Sequence, residues 1–212
     1  MKKSERAKGA MDIFDKIYPN VKCSLNYGNP LEMLIATQLS AQCTDARVNI
    51  ITESLFKKYK CAEDFANAKQ EELENDIRSA GFYRSKAKNI IACCRRIIDE
   101  YGGRVPDKME DLLTLPGTGR KTANLVLGDV YKQPAVVVDT HCIRLSNRIG
   151  LVNSEDPLKI EIELKKLIPP ERQLKLCHQF VHHGRVRCNA RKPDCGNCEI
   201  KEYCKYYSLK NK

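Results

Sequence analysis

LPGTGRKTA, residues 115–123, is the stretch on which the fold turns. A helix ending at about Leu115 meets Pro116 and Gly117, which force a turn, and a second helix starts at about Arg120. Gly119 between them permits close approach. Glycines ahead of a helix N-terminus let backbone N–H groups face outward, an arrangement suited to a phosphate. A plain helix–turn–helix connection without a ligand fits the same residues. A nucleotide P-loop does not, because GxxxxGK[ST] puts Gly directly before Lys and here Arg120 intervenes.

Outward from this hairpin nearly every segment reads at helical period. Asn29 and Pro30 start one helix as cap and first-turn proline, and Leu31 to Leu39 is apolar nearly all round, which predicts burial. Thr44 caps a helix with Val48, Ile51, Leu55 and Tyr59 on one stripe. Leu73, Ile77 and Ala80 mark a third, stopped by Gly81. Ser85 opens a fourth, with Ile90, Ile91, Cys94, Ile97, Ile98 and Tyr101 inward and Gly102 and Gly103 closing it. Asp107 and Glu110 have capping-box spacing before Leu112, Leu113 and Leu115. Ser154 caps a later helix carrying Ile160, Leu164 and Leu167. Ala135 to Val138 is the only strand-like run, too short and without a partner to imply a sheet. The expected class is all-α.

Two hundred and twelve residues suffice for one domain or two small ones with a real core. Thirty-seven Lys+Arg against 27 Asp+Glu give a formal charge of +10. That excess raises the odds of a polyanionic partner without proving one. The opening MKKSERAKGA carries charge but is followed by no apolar core of signal-peptide length, and no stretch approaches a membrane span. The expected location is cytoplasmic, with no membrane partner. Seven of the 11 Cys (Cys23, Cys43, Cys61, Cys93, Cys94, Cys142 and Cys177) are scattered through helix-like segments and read as small buried hydrophobes.

The other four are not scattered. Cys188, Cys195, Cys198 and Cys204 follow C-x6-C-x2-C-x5-C within 17 residues, flanked by Arg185, Arg187, Arg191 and Lys192. Four thiols this close in a cytosolic chain read as a metal site. Zinc is one candidate, although only Cys195 and Cys198 form the short knuckle that structural zinc usually uses twice. A 4Fe–4S cluster needs four Cys without that pairing. Earlier in the chain VVVDTHCIRLSNR, residues 136–148, puts Asp139 just before a helix with Cys142, Leu145 and Ile149 on one face. Read plainly, Asp139 is an N-cap and His141 bonds locally.

Taken in order, NPLEMLIATQLSAQCTD (29–45), GFYRSKAKNI (81–90), LPGTGRKTAN (115–124), VDTHCIRLSNR (138–148) and HHGRVRC with its three following cysteines resemble the endonuclease III family over nearly the whole chain. The family consists of helix–hairpin–helix DNA glycosylases and AP lyases with an iron–sulfur cluster. The resemblance implies a six-helix domain over residues 23–133 containing the hairpin. It implies a second helical domain, 1–22 with 134–212, that carries the 4Fe–4S loop on Cys188, Cys195, Cys198 and Cys204. A DNA-binding cleft would lie between them, with Lys121 as nucleophile facing Asp139 across it.

The implied activity is base excision repair. It comprises removal of oxidised pyrimidines from duplex DNA and cleavage 3′ to the abasic site by β-elimination through a lysine Schiff base. The partner would be double-stranded DNA holding damaged bases or abasic sites, met by a monomer associated with the nucleoid. Leu115, Gly117, Gly119 and Arg120 of the hairpin would grip the backbone, with Arg185, Arg187, Arg191 and Lys192 beside the cluster. Gln42 matches the residue that fills the gap left by a flipped base. Phe82 stands at a wedge position that is commonly aliphatic, and Cys43-Thr44 replaces the usual small pair after Gln42; both departures bear on substrate choice. Locally, Gln42 also reads as a helix-end polar residue and Phe82 as a partly buried aromatic.

Three alternatives stand beside this reading. The adenine-glycosylase branch lacks the hairpin lysine and has a catalytic Glu where Thr37 stands. A uracil- or mismatch-specific member of the same superfamily is a second alternative, because base specificity lies in pocket residues that these motifs do not mark. A non-catalytic DNA-binding module would use the four Cys as a zinc finger.

Overall fold

In the computed structural model, which describes residues 1–210, local sequence signals and helix boundaries coincide where a cap is strong. Helix α1 is Lys3–Ile17, α2 Pro30–Leu39, α3 Asp45–Lys58, α4 Ala62–Ala66 and α5 Gln70–Asp76. Then come α6 Tyr83–Tyr101, α7 Met109–Thr114 and α8 Arg120–Leu125, the last prolonged by a π-helical turn over Val126–Val130. The chain continues through α9 Thr140–Ile149, α10 Pro157–Leu167, α11 Gln173–Val186 and α12 Lys205–Lys210. Among the described residues there is no strand, as expected of an all-α chain. No helix among them is long and apolar enough to cross a membrane.

The side chains of Asn29, Thr44 and Asp139 accept from Glu32 N (3.0 Å), Arg47 N (3.3 Å) and Cys142 N (2.7 Å). Each such cap is worth about 1 kcal/mol. Where two candidate caps compete, the sequence reading is corrected. Asp156, not Ser154, caps α10: its Oδ1 takes Leu158 N and Lys159 N, while Ser154 Oγ only accepts Asp156 N. Helix α7 starts after Lys108, so the Asp107–Glu110 capping box does not form. Helix α6 begins two residues before Ser85, directly after Phe82. The third expected helix ends at Asp76 and hands over to a 3₁₀ turn, Arg78–Ala80, before Gly81. Ala135 to Val137 is buried as irregular backbone.

The chain divides into two compact units, Cys23–Gln133 and Met1–Lys22 with Pro134–Lys212; Asn211 and Lys212, which close the expected second domain, lie outside the described residues. In the first unit α2 is buried almost all round, with Met33, Leu34, Ile35 and Leu39 at 0–1% exposure. The α3 stripe of Val48, Ile51, Leu55 and Tyr59 is buried, and Ile90, Cys93, Cys94 and Ile97 of α6 bury the matching face. In the second unit Phe14 of α1 meets the edge of Phe180 of α11, ring centroids 6.1 Å apart. Asp15 fastens the same pair of helices through Arg172, Lys175 and Gln179. Four of the scattered cysteines are buried, but Cys61 is exposed beside the short α4, correcting its reading as a core hydrophobe.

Candidate functional site

In the first unit, the hairpin between α7 and α8 is shaped from below by Gln38. This buried α2 side chain donates from Nε2 to Pro116 O at 3.1 Å and to Thr118 Oγ1 at 3.2 Å. Gly117 has φ +76°, and a Cβ there would sit 3.0 Å from Asn89 Cβ and 3.2 Å from Gln38 Oε1. Backbone and space both demand glycine. Gly119 differs: it is the N-cap of α8 with φ −98°, and a Cβ would meet nothing within 4 Å. The fold does not need a glycine there, so its effect is to leave open space over the helix N-terminus.

Lys121 is the second residue of α8 and is exposed. Its ammonium is in no hydrogen bond or ion pair among the described residues. Its neighbours Thr122 and Ala123 point into the core, and Arg120 is half-buried. Leu115 is 2% exposed, so the hairpin presents its backbone rather than this side chain. Gln42 and Phe82 are both exposed and both adopt left-handed backbone, φ 53° and 47°. Phe82 is 67% exposed, which removes the reading of it as a partly buried aromatic.

The second unit holds Asp139 and the cysteine loop. Asp139 caps α9 through Oδ1 alone. His141 bonds locally, its Nδ1 lying 3.0 Å from Arg144 Nη2. Helix α11 runs tightly against α9 at Gly184, where a Cβ would fall 2.4 Å from His141 Nδ1.

Past α11 the loop is tied by backbone bonds from Cys188 N to His183 O (2.8 Å) and from Asp194 N to Arg187 O (2.9 Å). Two α9 arginines hold its start. Arg144 donates to Cys188 O at 3.1 Å. Arg148 donates to Cys188 Sγ, Asn189 O and Ala190 O at 3.2, 2.8 and 2.7 Å. Neither role was foreseen from sequence; the signal available was two arginines four apart on a helix otherwise read only for its apolar face.

Cys188, Cys195, Cys198 and Cys204 are unpaired by disulfides and line one cavity with Leu145, Ile149, Pro193 and Ile200. Burial pushes the Cys198 thiol up to about 11 and raises Cys204 as well. His183 lies with Nε2 3.4 Å from Cys198 Sγ and Nδ1 3.0 Å from the Tyr18 hydroxyl; burial pushes it down to about 4. Among the described residues no group of three or more His, Cys, Asp or Glu is arranged to hold a single metal ion. The donor set nevertheless fits a group that takes four sulfurs at the edge of an apolar cavity with an arginine donating to one of them. Arg185, Arg191 and Lys192 are exposed, whereas the Arg187 guanidinium is engaged by Asp194 at 3.0 Å and Glu199 at 3.3 Å.

Residues 35–170 match the model of the HhH-GPD superfamily of base excision DNA repair proteins. The chain is 48% identical over 203 residues to the endonuclease III of Synechocystis sp. (strain ATCC 27184 / PCC 6803 / Kazusa), covering 95% of this chain and 93% of that protein. The chain belongs to the endonuclease III family. The Bacillus subtilis (strain 168) endonuclease III is 42% identical, with 92% and 93% covered. Among solved structures, a non-covalent endonuclease III–DNA complex superposes with a TM-score of 0.93 at 42% identity, covering 100% of this chain and 99% of that one. A trapped endonuclease III–DNA covalent intermediate gives 0.93 at 41%, each chain fully covered. Endonuclease III membership makes this chain a bifunctional DNA glycosylase and AP lyase of base excision repair.

Proposed function

We propose that this chain removes oxidised pyrimidines from duplex DNA and then breaks the strand 3′ to the abasic sugar, with Lys121 as nucleophile and Asp139 assisting. The supporting observation is Lys121 itself. It is an exposed amine, in no hydrogen bond or ion pair among the described residues, at the start of a helix whose preceding glycine keeps the approach open. Such an amine can attack C1′ as the glycosidic bond breaks and the base leaves with the bonding electrons. Loss of the amine proton and opening of the sugar ring give an imine. The imine acidifies C2′, and removal of a C2′ proton expels the 3′ phosphate by β-elimination. No guanidinium can form that imine, which assigns the step to Lys121 and not Arg120. Asp139 would stabilise positive charge on the sugar and help move the proton, a contribution of roughly 10²–10⁴-fold for such groups.

Gln42 and Phe82 would enter the duplex, filling the gap left by the extruded nucleotide and wedging between bases. Backbone amides at Gly117 and Gly119, with Arg120, Arg185, Arg191 and Lys192, would hold phosphates; Arg187 reaches one only by leaving Asp194 and Glu199. Leu115 would contribute through its main chain. Cys188, Cys195, Cys198 and Cys204 would hold a 4Fe–4S cluster that ties the loop together and presents these bases. The working unit proposed is a monomer in the nucleoid. Borohydride trapping on duplexes that each hold one oxidised pyrimidine, an unmodified base or an abasic site tests the lesion class: adducts with the first and last only are expected.

A further inference from the structure

Lys86 is the one buried lysine among the described residues, 6% exposed on the inward face of α6. Its ammonium donates to two carbonyls that accept no backbone N–H among the described residues: Leu39 O at 2.7 Å and Ala80 O at 2.9 Å. Leu39 ends α2 and Ala80 ends the 3₁₀ turn. Three residues beyond Leu39 is Gln42; two beyond Ala80 is Phe82. These are two of the three non-glycine residues with left-handed backbone among those described. Each such residue is strained by about 1–3 kcal/mol and persists only where its surroundings dictate the conformation. One buried cation therefore anchors the roots of both strained loops. Burial draws its pKa below the ordinary lysine value, so it resides there because the two carbonyls and the negative end of α2 hold it.

We infer that Lys86 is a positioning residue for base extrusion: it sets the separation and aim of Gln42 and Phe82, so that gap filling and wedging act on the same nucleotide step. This rests on the proposed roles of those two side chains. A buried lysine could instead be a general support of the core, and the two cases diverge by substrate. Extrusion is needed only where a base must leave a stacked pair. A single-stranded oligonucleotide with an abasic site has no pair to break and still reports the amine chemistry.

The test compares wild type, Lys86→Met, Lys86→Gln, Gln42→Ala and Phe82→Ala in two assays: excision of an oxidised pyrimidine from duplex, and borohydride trapping on the single-stranded abasic oligonucleotide. Misplacement of about 1 Å at a reacting centre can lower a rate about 10²-fold. A loss of that order on duplex is expected for both Lys86 variants, with single-strand trapping near wild type and duplex loss also in both loop variants. Lys86→Gln retains an amide donor for one carbonyl and stands in should Lys86→Met not fold. A parallel fall in both assays would assign Lys86 to general support, and wild-type duplex rates in both Lys86 variants would remove it from extrusion; either overturns the inference alone. Unchanged duplex rates in Gln42→Ala and Phe82→Ala would instead overturn the reading of the loops, and the inference with it.

Discussion

Arg148 and Cys188 meet side chain to side chain, the guanidinium Nη1 donating to Sγ at 3.2 Å while the same group caps the carbonyls of Asn189 and Ala190. One residue thus orients a proposed ligand sulfur and fixes the next two peptide planes. Hydrogen bonds from charged groups contribute roughly 1.5–3 kcal/mol each. Arg148→Leu is therefore expected to bind iron less completely and lose it faster under a chelator than wild type, as read by iron per chain and visible absorbance. Equal iron content and equal loss rate would show that the contact is incidental.

Iron analysis of the wild-type protein bears on the whole loop. Purified anaerobically, it is expected to be brown with about four irons per chain. Cys188→Ser should lose the colour and impair folding or DNA binding more than the amine chemistry. Stoichiometric zinc in protein from iron-replete cells would contradict the cluster.

Residues 182–212 contain eight Lys+Arg and three Asp+Glu. If these residues and the hairpin amides contact phosphates as proposed, binding releases counterions, so affinity for undamaged duplex should fall steeply as salt rises. Arg191→Ala and Lys192→Ala should each reduce the slope of log affinity against log salt by about one. A flat response would contradict the footprint.

Asp15 supplies a pH prediction. Burial alone would raise its carboxyl. Hydrogen bonds from Lys175 and Gln179 and the charges of Arg172 and Lys175 outweigh burial and hold it below the usual carboxylate range. A depressed folded-state pKa adds stability above the unfolded value, near pH 4, and that stability is lost as pH falls through the lower folded value. Asp15→Asn should then be less stable than wild type at neutral pH by roughly 1–2 kcal/mol, and the gap should close in acid. Denaturant melts at pH 7 and below pH 4 measure it; a gap that widens in acid would reverse the sign.

How far the sequence speaks for this architecture differs from residue to residue. Asn29, Thr44 and Asp139 are caps whose short side-chain oxygens bond a backbone N–H three residues on, a local pattern that the sequence displays directly. Ser154 was misleading because Asp156, two residues on, is the stronger acceptor beside Pro157, and capping is decided by the better of two local partners. The left-handed backbone of Gln42 and Phe82 has no local signature, and the Lys86 contact near the first of them, at Leu39 O, comes from 47 residues away in sequence. Lys86 itself had a readable signal: it lies four residues before Ile90 and eight before Cys94 on an apolar stripe, where a lysine must find buried acceptors. Gln38 and Arg148 act across long sequence separations, and no periodicity reports such pairings.

The most direct test of the mechanism is borohydride trapping of Lys121→Gln beside wild type on a duplex with one oxidised pyrimidine, DNA binding being checked separately. Lys121→Gln should bind the duplex yet give no trapped adduct, while Asp139→Asn should slow both base release and trapping. A covalent adduct from Lys121→Gln at the wild-type rate would place the nucleophile on another amine and contradict the account.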